Sequence, residues 1–246
     1  MVSFKKVPLS GAAPVAWNIH FILPVCLLAL GIFGISLLVL HLVMPAAEGT
    51  SFHLRAFQSL LQTILIEGSL TFAILILMNR HHFGIWQLGM DKWSQTHIRT
   101  GFQAYLFITP ALALLGLLLS LFRNTILPDQ EIYYILSGLT SLPLALVFLF
   151  IIGFLAPFLE EIIFRGFLFG TMRSRFGPRR SMVYSSLLFA ALHQSLIAFI
   201  PILFLAFILA YLYEKTGSLW PSIVLHIINN TVATVVAIVF RLGGVA

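Results

Sequence analysis

Cysteine is nearly absent from this chain: Cys26 is the only one. That excludes an intramolecular disulfide and any cysteine-built metal cluster. Charge is scarce too, with Asp, Glu, Lys and Arg making up 9% of 246 residues and only eight of those acidic. There is no HExxH stretch, no internal repeat and no low-complexity tract. With 60% hydrophobic residues and a mean hydropathy of +1.03, the composition rules out a water-soluble domain. The net charge of +6 does not imply a nucleic-acid partner, because the basic residues fall in short segments between apolar runs. Topology control and contact with the anionic lipid bilayer account for them. No cleavable leader is expected, since the first apolar run is long and lacks a small-residue cleavage site; it should act as its own insertion signal.

What is present is a series of apolar runs long enough to cross a membrane. The expected fold is all-α and polytopic, with about seven transmembrane helices and a cytoplasmic N-terminus. The spans read as 21–43, 56–78, 101–122, 139–172, 181 to about 196, about 197 to 213, and 219–240. One membrane domain accounts for the length, with N-terminal helices over 1–150 and the chemistry-bearing core over 151–246. The inner segments of this arrangement hold ten Lys and Arg residues and the outer ones three, with Arg165 inside the membrane. That asymmetry puts the N-terminus inside and the C-terminus outside. The longest polar connection, 79–100, contains His81–His82, which reads as a solvated face, and Trp86 and Trp93, which suit the membrane interface. Segment 123–134, with Asp129 and Glu131, is an outer loop.

The unusual stretch is Pro157 to Gly166, PFLEEIIFRG, which places Glu160, Glu161 and Arg165 within six residues inside the fourth apolar run. Ionised groups at that depth are costly unless they pair or face a wet cavity. Glu161 and Arg165 are four apart and so can pair on one helix face. Glu160 points about 100° away and is left for other use. Pro157 should kink the helix or free a carbonyl beside the acidic pair. Glu67, in the second span, reads as a structural residue bonded to a neighbouring helix or to Gln58 or Gln62.

Further polar residues belong to the same layer. His193 ends FAALH, with Phe189 four residues earlier, and His226 begins HIINN, with Asn230 four residues later. At ~1.5 Å per residue, Glu160 and His193 both lie about 18 Å from the cytoplasmic ends of their helices, and His226 and Asn230 about 10 and 16 Å. A Glu beside a neutral His can take a proton from water, and a second His with an Asn can stabilise an oxyanion. Glu160, His193 and His226 could alternatively hold Zn²⁺ with a position open for water. Either route hydrolyses an amide. The plain alternative is a set of interhelical hydrogen bonds, each worth about 0.6–2 kcal/mol.

EEIIFR, FAALH and HIINN, in that order on successive late helices, resemble the CPBP intramembrane proteases. That group includes the type II CAAX prenyl endopeptidases and the bacteriocin-processing or self-immunity (Abi) proteins. The resemblance covers about residues 153–230 and does not extend to the first three spans. It implies an intramembrane endopeptidase of the prokaryotic cell membrane acting on a membrane-tethered peptide or protein, prenylated or not. Glu160 would be the water-activating base helped by His193, and His226 and Asn230 would hold the oxyanion. Glu161 and Arg165 would support them. A metal-free, glutamate-dependent site is favoured over a zinc site. Two other classes stay open at this point: a small proton-coupled carrier relaying through Glu67, Glu160 and Glu161, and a non-enzymatic immunity or scaffold protein. The lack of inverted-repeat hydropathy counts against the carrier.

Overall fold

A computed structural model describes residue 20 and residues 22–43, 52–91, 93–120 and 142–242. The expected N-terminal arm, the loop with Asp129 and Glu131, and the C-terminal tail lie outside the described residues. The rest is helical: α1 (Ile22–Val43), α2 (Phe52–Arg80), a short 3₁₀ turn (Ile85–Leu88), α3 (Gln95–Ser120), α4 (Leu142–Phe176), α5 (Pro178–Leu192), α6 (Leu196–Thr216) and α7 (Trp220–Leu242). No strand occurs among the described residues.

Six of these helices, α1–α4, α6 and α7, are long and apolar enough to cross a membrane. The fifth expected span, 181 to about 196, is α5, which has only 15 residues. At the ~1.5 Å rise it covers about 22 Å, short of the ~30 Å of hydrocarbon. Its limits have local causes. Gly177, at φ +78°, breaks the chain after α4, and Pro178 starts α5, where a missing N–H costs nothing. A turn through Gln194, itself at φ 51°, ends the helix. Ser195 then caps α6, its hydroxyl accepting the Ala198 N–H at 3.2 Å. Gly217 closes α6 in the left-handed region, donating to the Tyr213 carbonyl at 2.8 Å.

Two other boundaries differ from expectation. α2 runs on to Arg80, and α3 begins six residues before the expected start at 101. The Ser94 hydroxyl caps this earlier start by accepting the His97 N–H at 3.1 Å. The polar connection is therefore short. It folds onto the helix ends, with Leu88 fully buried and its carbonyl accepting the Tyr213 hydroxyl at 3.2 Å. Trp86 and Trp93 stay 60% exposed, as interfacial aromatics would.

α4 is the centre of the bundle and is not a uniform α-helix. Two wide π segments, Ile151–Leu155 and Ile162–Phe169, flank a six-residue α stretch that carries both glutamates. Pro157 has no N–H to give, so a carbonyl one turn earlier loses its intrahelical donor. α7 supplies replacements: Asn230 donates to the Ile152 carbonyl at 3.4 Å and Thr231 to the Gly153 carbonyl at 3.0 Å. The approach is close because residue 153 is glycine; a Cβ there would sit 3.0 Å from Thr231 Oγ1. The main core gathers around α4, with Ile74 and Met78 of α2, Phe189 of α5, Tyr213 of α6 and Ile223 of α7. The outer faces are apolar, Phe107, Leu42 and Leu196 among them, as a lipid-facing surface requires.

Candidate functional site

Glu161 and Arg165 form the expected i, i+4 ion pair, with Arg165 Nη1 2.7 Å from Glu161 Oε1 and both side chains buried. A charge pair held this deep survives only with further hydrogen bonds. Arg165 Nη2 therefore donates to the Ala206 carbonyl of α6 at 3.1 Å. Glu161 Oε1 takes a second donor, His226 Nδ1 of α7, at 2.8 Å. Facing a carboxylate, Nδ1 carries the proton, so the ring presents Nε2 on its other side. There it meets Glu160 Oε2 at 3.5 Å. Glu160 is the more open of the two glutamates: its side chain is 15% exposed, against 0% for Glu161.

Phe189 links this cluster to His193. Its ring lies 4.6 Å from the Arg165 guanidinium, edge-on to Phe164, 4.7 Å from the His193 ring and 5.7 Å from the His226 ring. α5 ends at Leu192, so its last carbonyls lack intrahelical donors. His193 Nδ1 supplies one, donating to the Phe189 carbonyl at 2.8 Å. The spacing in FAALH thus does two things: it sets the Phe189 ring against that of His193, tilted by 47°, and fixes the tautomer of His193, leaving Nε2 as the acceptor.

Glu160, Glu161, Arg165 and His226 are thus joined in one contact network, and His193 shares the Phe189 ring with it. Asn230 sits one turn beyond His226 but is turned to the Ile152 carbonyl, and it accepts the Asn229 amide at 3.3 Å. Glu160, His193 and His226, the set that zinc would need, do not gather as ligands; among the described residues no three His, Cys, Asp or Glu side chains do.

Two features were not read from the sequence. The Ala206 carbonyl is a backbone acceptor, invisible to any motif. Glu67, expected to be a hydrogen-bonded structural residue, has a buried Oε2 with no hydrogen-bond partner among the described residues. It lies close enough to Glu160 for the two carboxylates to interact electrostatically. Its depth in an apolar span was the available signal.

The comparisons with known proteins point the same way. Residues 142–232 match the family model described as type II CAAX prenyl endopeptidase Rce1-like. The chain is 29% identical over 131 residues to the "Putative membrane peptidase YdiL" of Bacillus subtilis (strain 168), covering 48% of this chain and 52% of that protein. It is 31% identical over 78 residues to the "UPF0177 protein YxdF" of Lactococcus lactis subsp. lactis (strain IL1403), covering 31% of this chain and 42% of that one. The chain thus spans about half the length of the first relative and less of the second. No solved structure matches. Six apolar helices and two bacterial relatives identify an integral protein of a bacterial membrane, and its residues 142–232 are similar to the Rce1-like type II CAAX prenyl endopeptidases.

Proposed function

We propose that the chain is an intramembrane endopeptidase that hydrolyses a peptide bond with a water activated by Glu160. The observation that carries this reading is the sequence of contacts Arg165–Glu161–His226–Glu160, which ends on the one glutamate of the pair open to a reactant. The carboxylate of Glu160 takes a proton from water as its oxygen bonds to the scissile carbonyl carbon. His193, whose Nε2 is left as an acceptor, holds the other hydrogen of that water. The tetrahedral oxyanion is met by His226 in its protonated form, steadied through Nδ1 by Glu161. Asn230 assists by turning its amide from the Ile152 carbonyl, to which its 3.4 Å bond is long. Glu160 then returns its proton to the leaving nitrogen, the C–N bond breaks, and an amine and a carboxylic acid leave.

The substrate class is a membrane-tethered peptide or protein, with a prenylated CAAX-type C-terminus the first to try. No cofactor is needed for these steps. The test is cleavage of a panel of prenylated and unprenylated membrane peptides by purified protein in detergent, with and without a strong zinc chelator, beside Glu160→Gln. Cleavage that survives chelation and falls about 10²-fold or more in Glu160→Gln is expected. A fully active Glu160→Gln would reject the role of Glu160. Loss to the chelator with recovery on adding Zn²⁺ would replace the metal-free reading.

A further inference from the structure

α2 lies outside the family-matched residues, yet it supplies a wall of the site. Its buried face runs through Thr71, Ile74 and Met78, spaced four, three and four from Glu67, which is one helical stripe. Ile74 and Met78 pack in the same core cluster as Ile162 and Ile163 of α4. Followed outward, this stripe brings Thr71 and Glu67 alongside the α4 stretch with the two glutamates, and α2 contacts that stretch directly. Both residues present unpaired polar atoms there. Thr71 is 6% exposed with no partner for Oγ1, and Glu67 Oε2 is buried with none, among the described residues. A buried polar atom left unpaired costs about 1–3 kcal/mol, so this face is not ordinary packing.

Glu67 interacts with Glu160, and the other ionisable groups of the site surround Glu160. α4 offers Glu160, Glu161 and Arg165; α7 offers His226; His193 follows α5. Arg165 and His226 both bind Glu161, and His226 also faces Glu160. Even with His226 protonated, three carboxyls face two cations, so charge balance leaves one carboxyl neutral. Arg165 and His226 both lie at hydrogen-bond distance from Glu161, and His226 lies 3.5 Å from Glu160, whereas among the described residues neither cation forms an ion pair with Glu67. Two buried carboxylates close enough to interact do not both ionise.

We propose that Glu67 is a positioning residue for Glu160: it carries the neutral carboxyl and donates its O–H to Glu160, the pair sharing one proton. This rests on Glu160 being the base. The donated hydrogen bond holds the Glu160 carboxylate in one rotamer, aimed at the water, and keeps it ionised beside a second acid. No proton leaves Glu67 in the reaction; the one taken from water still travels on Glu160 to the leaving nitrogen.

Steady-state cleavage by Glu67→Leu, Glu67→Gln and Glu160→Gln tests this, together with infrared spectra of each resting protein. Glu67→Leu should lower kcat by on the order of tenfold to a hundredfold, part of the full general-base contribution, with KM unchanged. Glu67→Gln keeps a donor of the same shape and should restore most of that loss. The wild-type infrared spectrum should hold a protonated-carboxyl C=O band, lost in Glu67→Gln and shifted in Glu160→Gln. A wild-type kcat in Glu67→Leu, with Glu160→Gln inactive, overturns the inference and leaves the protease reading standing. A Glu67→Gln as impaired as Glu67→Leu, or no protonated-carboxyl band in the wild type, also overturns it. If wild-type protein cleaves no peptide while the band is present and responds to both variants, the protease reading fails and the shared proton stands.

Discussion

Removing Arg165 should unfold this protein more readily than removing Arg165 and Glu161 together. Glu161 is 0% exposed and depends on Arg165 Nη1 at 2.7 Å and His226 Nδ1 at 2.8 Å. Arg165→Met keeps much of the side-chain volume but strands a buried carboxylate with one donor, and it withdraws the bond to the Ala206 carbonyl. Breaking a buried pair from one side costs about 3–5 kcal/mol. For a chain of this length that corresponds to roughly 6–20 °C in Tm. The double variant Glu161→Leu/Arg165→Met leaves no orphan charge. Its main remaining cost is the His226 N–H, unpaired on that side, about 1–3 kcal/mol. The double variant should therefore be more stable than Arg165→Met, with a coupling of several kcal/mol between the two positions. Arg165→Lys should behave like the single loss, because an ammonium cannot reach Glu161 and the Ala206 carbonyl with a planar fork. The assay is thermal unfolding of purified variants in one detergent at one scan rate, followed by tryptophan fluorescence. If the double variant loses the sum of the two single losses, the pair is not the buried unit described here.

Asn230→Leu should lower stability by about 1–2 kcal/mol by stripping the Ile152 carbonyl of its donor, and adding Pro157→Ala should recover part of it by restoring a backbone N–H; the same unfolding assay reads both. Gly153→Leu should cost about 1–3 kcal/mol by forcing α4 and α7 apart, whereas Gly31→Leu, where a Cβ meets nothing within 4 Å, should leave Tm unchanged. Arg173→Ala should change stability by less than about 1 kcal/mol and leave cleavage intact, because its pair with Glu214 is partly exposed, at 28% and 17%.

The sequence alone determined the helical membrane architecture, because an apolar run of some twenty residues has few ways to satisfy its backbone in lipid. It also determined the Glu161–Arg165 pair, the proline-freed carbonyls and the roster of polar residues at membrane depth. These are local facts: a spacing of four, a missing N–H, a charge where none belongs. The short α5 was harder to read, since a helix of 15 residues ending in a turn at Gln194 looks in sequence like the start of a longer apolar run. Tertiary structure decided everything that crosses between helices. It chose Glu161 over Glu160 as the partner of His226 Nδ1, gave Asn230 to a backbone carbonyl, and brought Glu67 of α2 to the site from outside the recognisable motifs. The physical reason is that periodicity fixes which face of a helix a residue occupies, whereas the rotation and depth at which two helices meet are set by packing, here by Gly153 against Thr231 and by the stripe of α2 against α4.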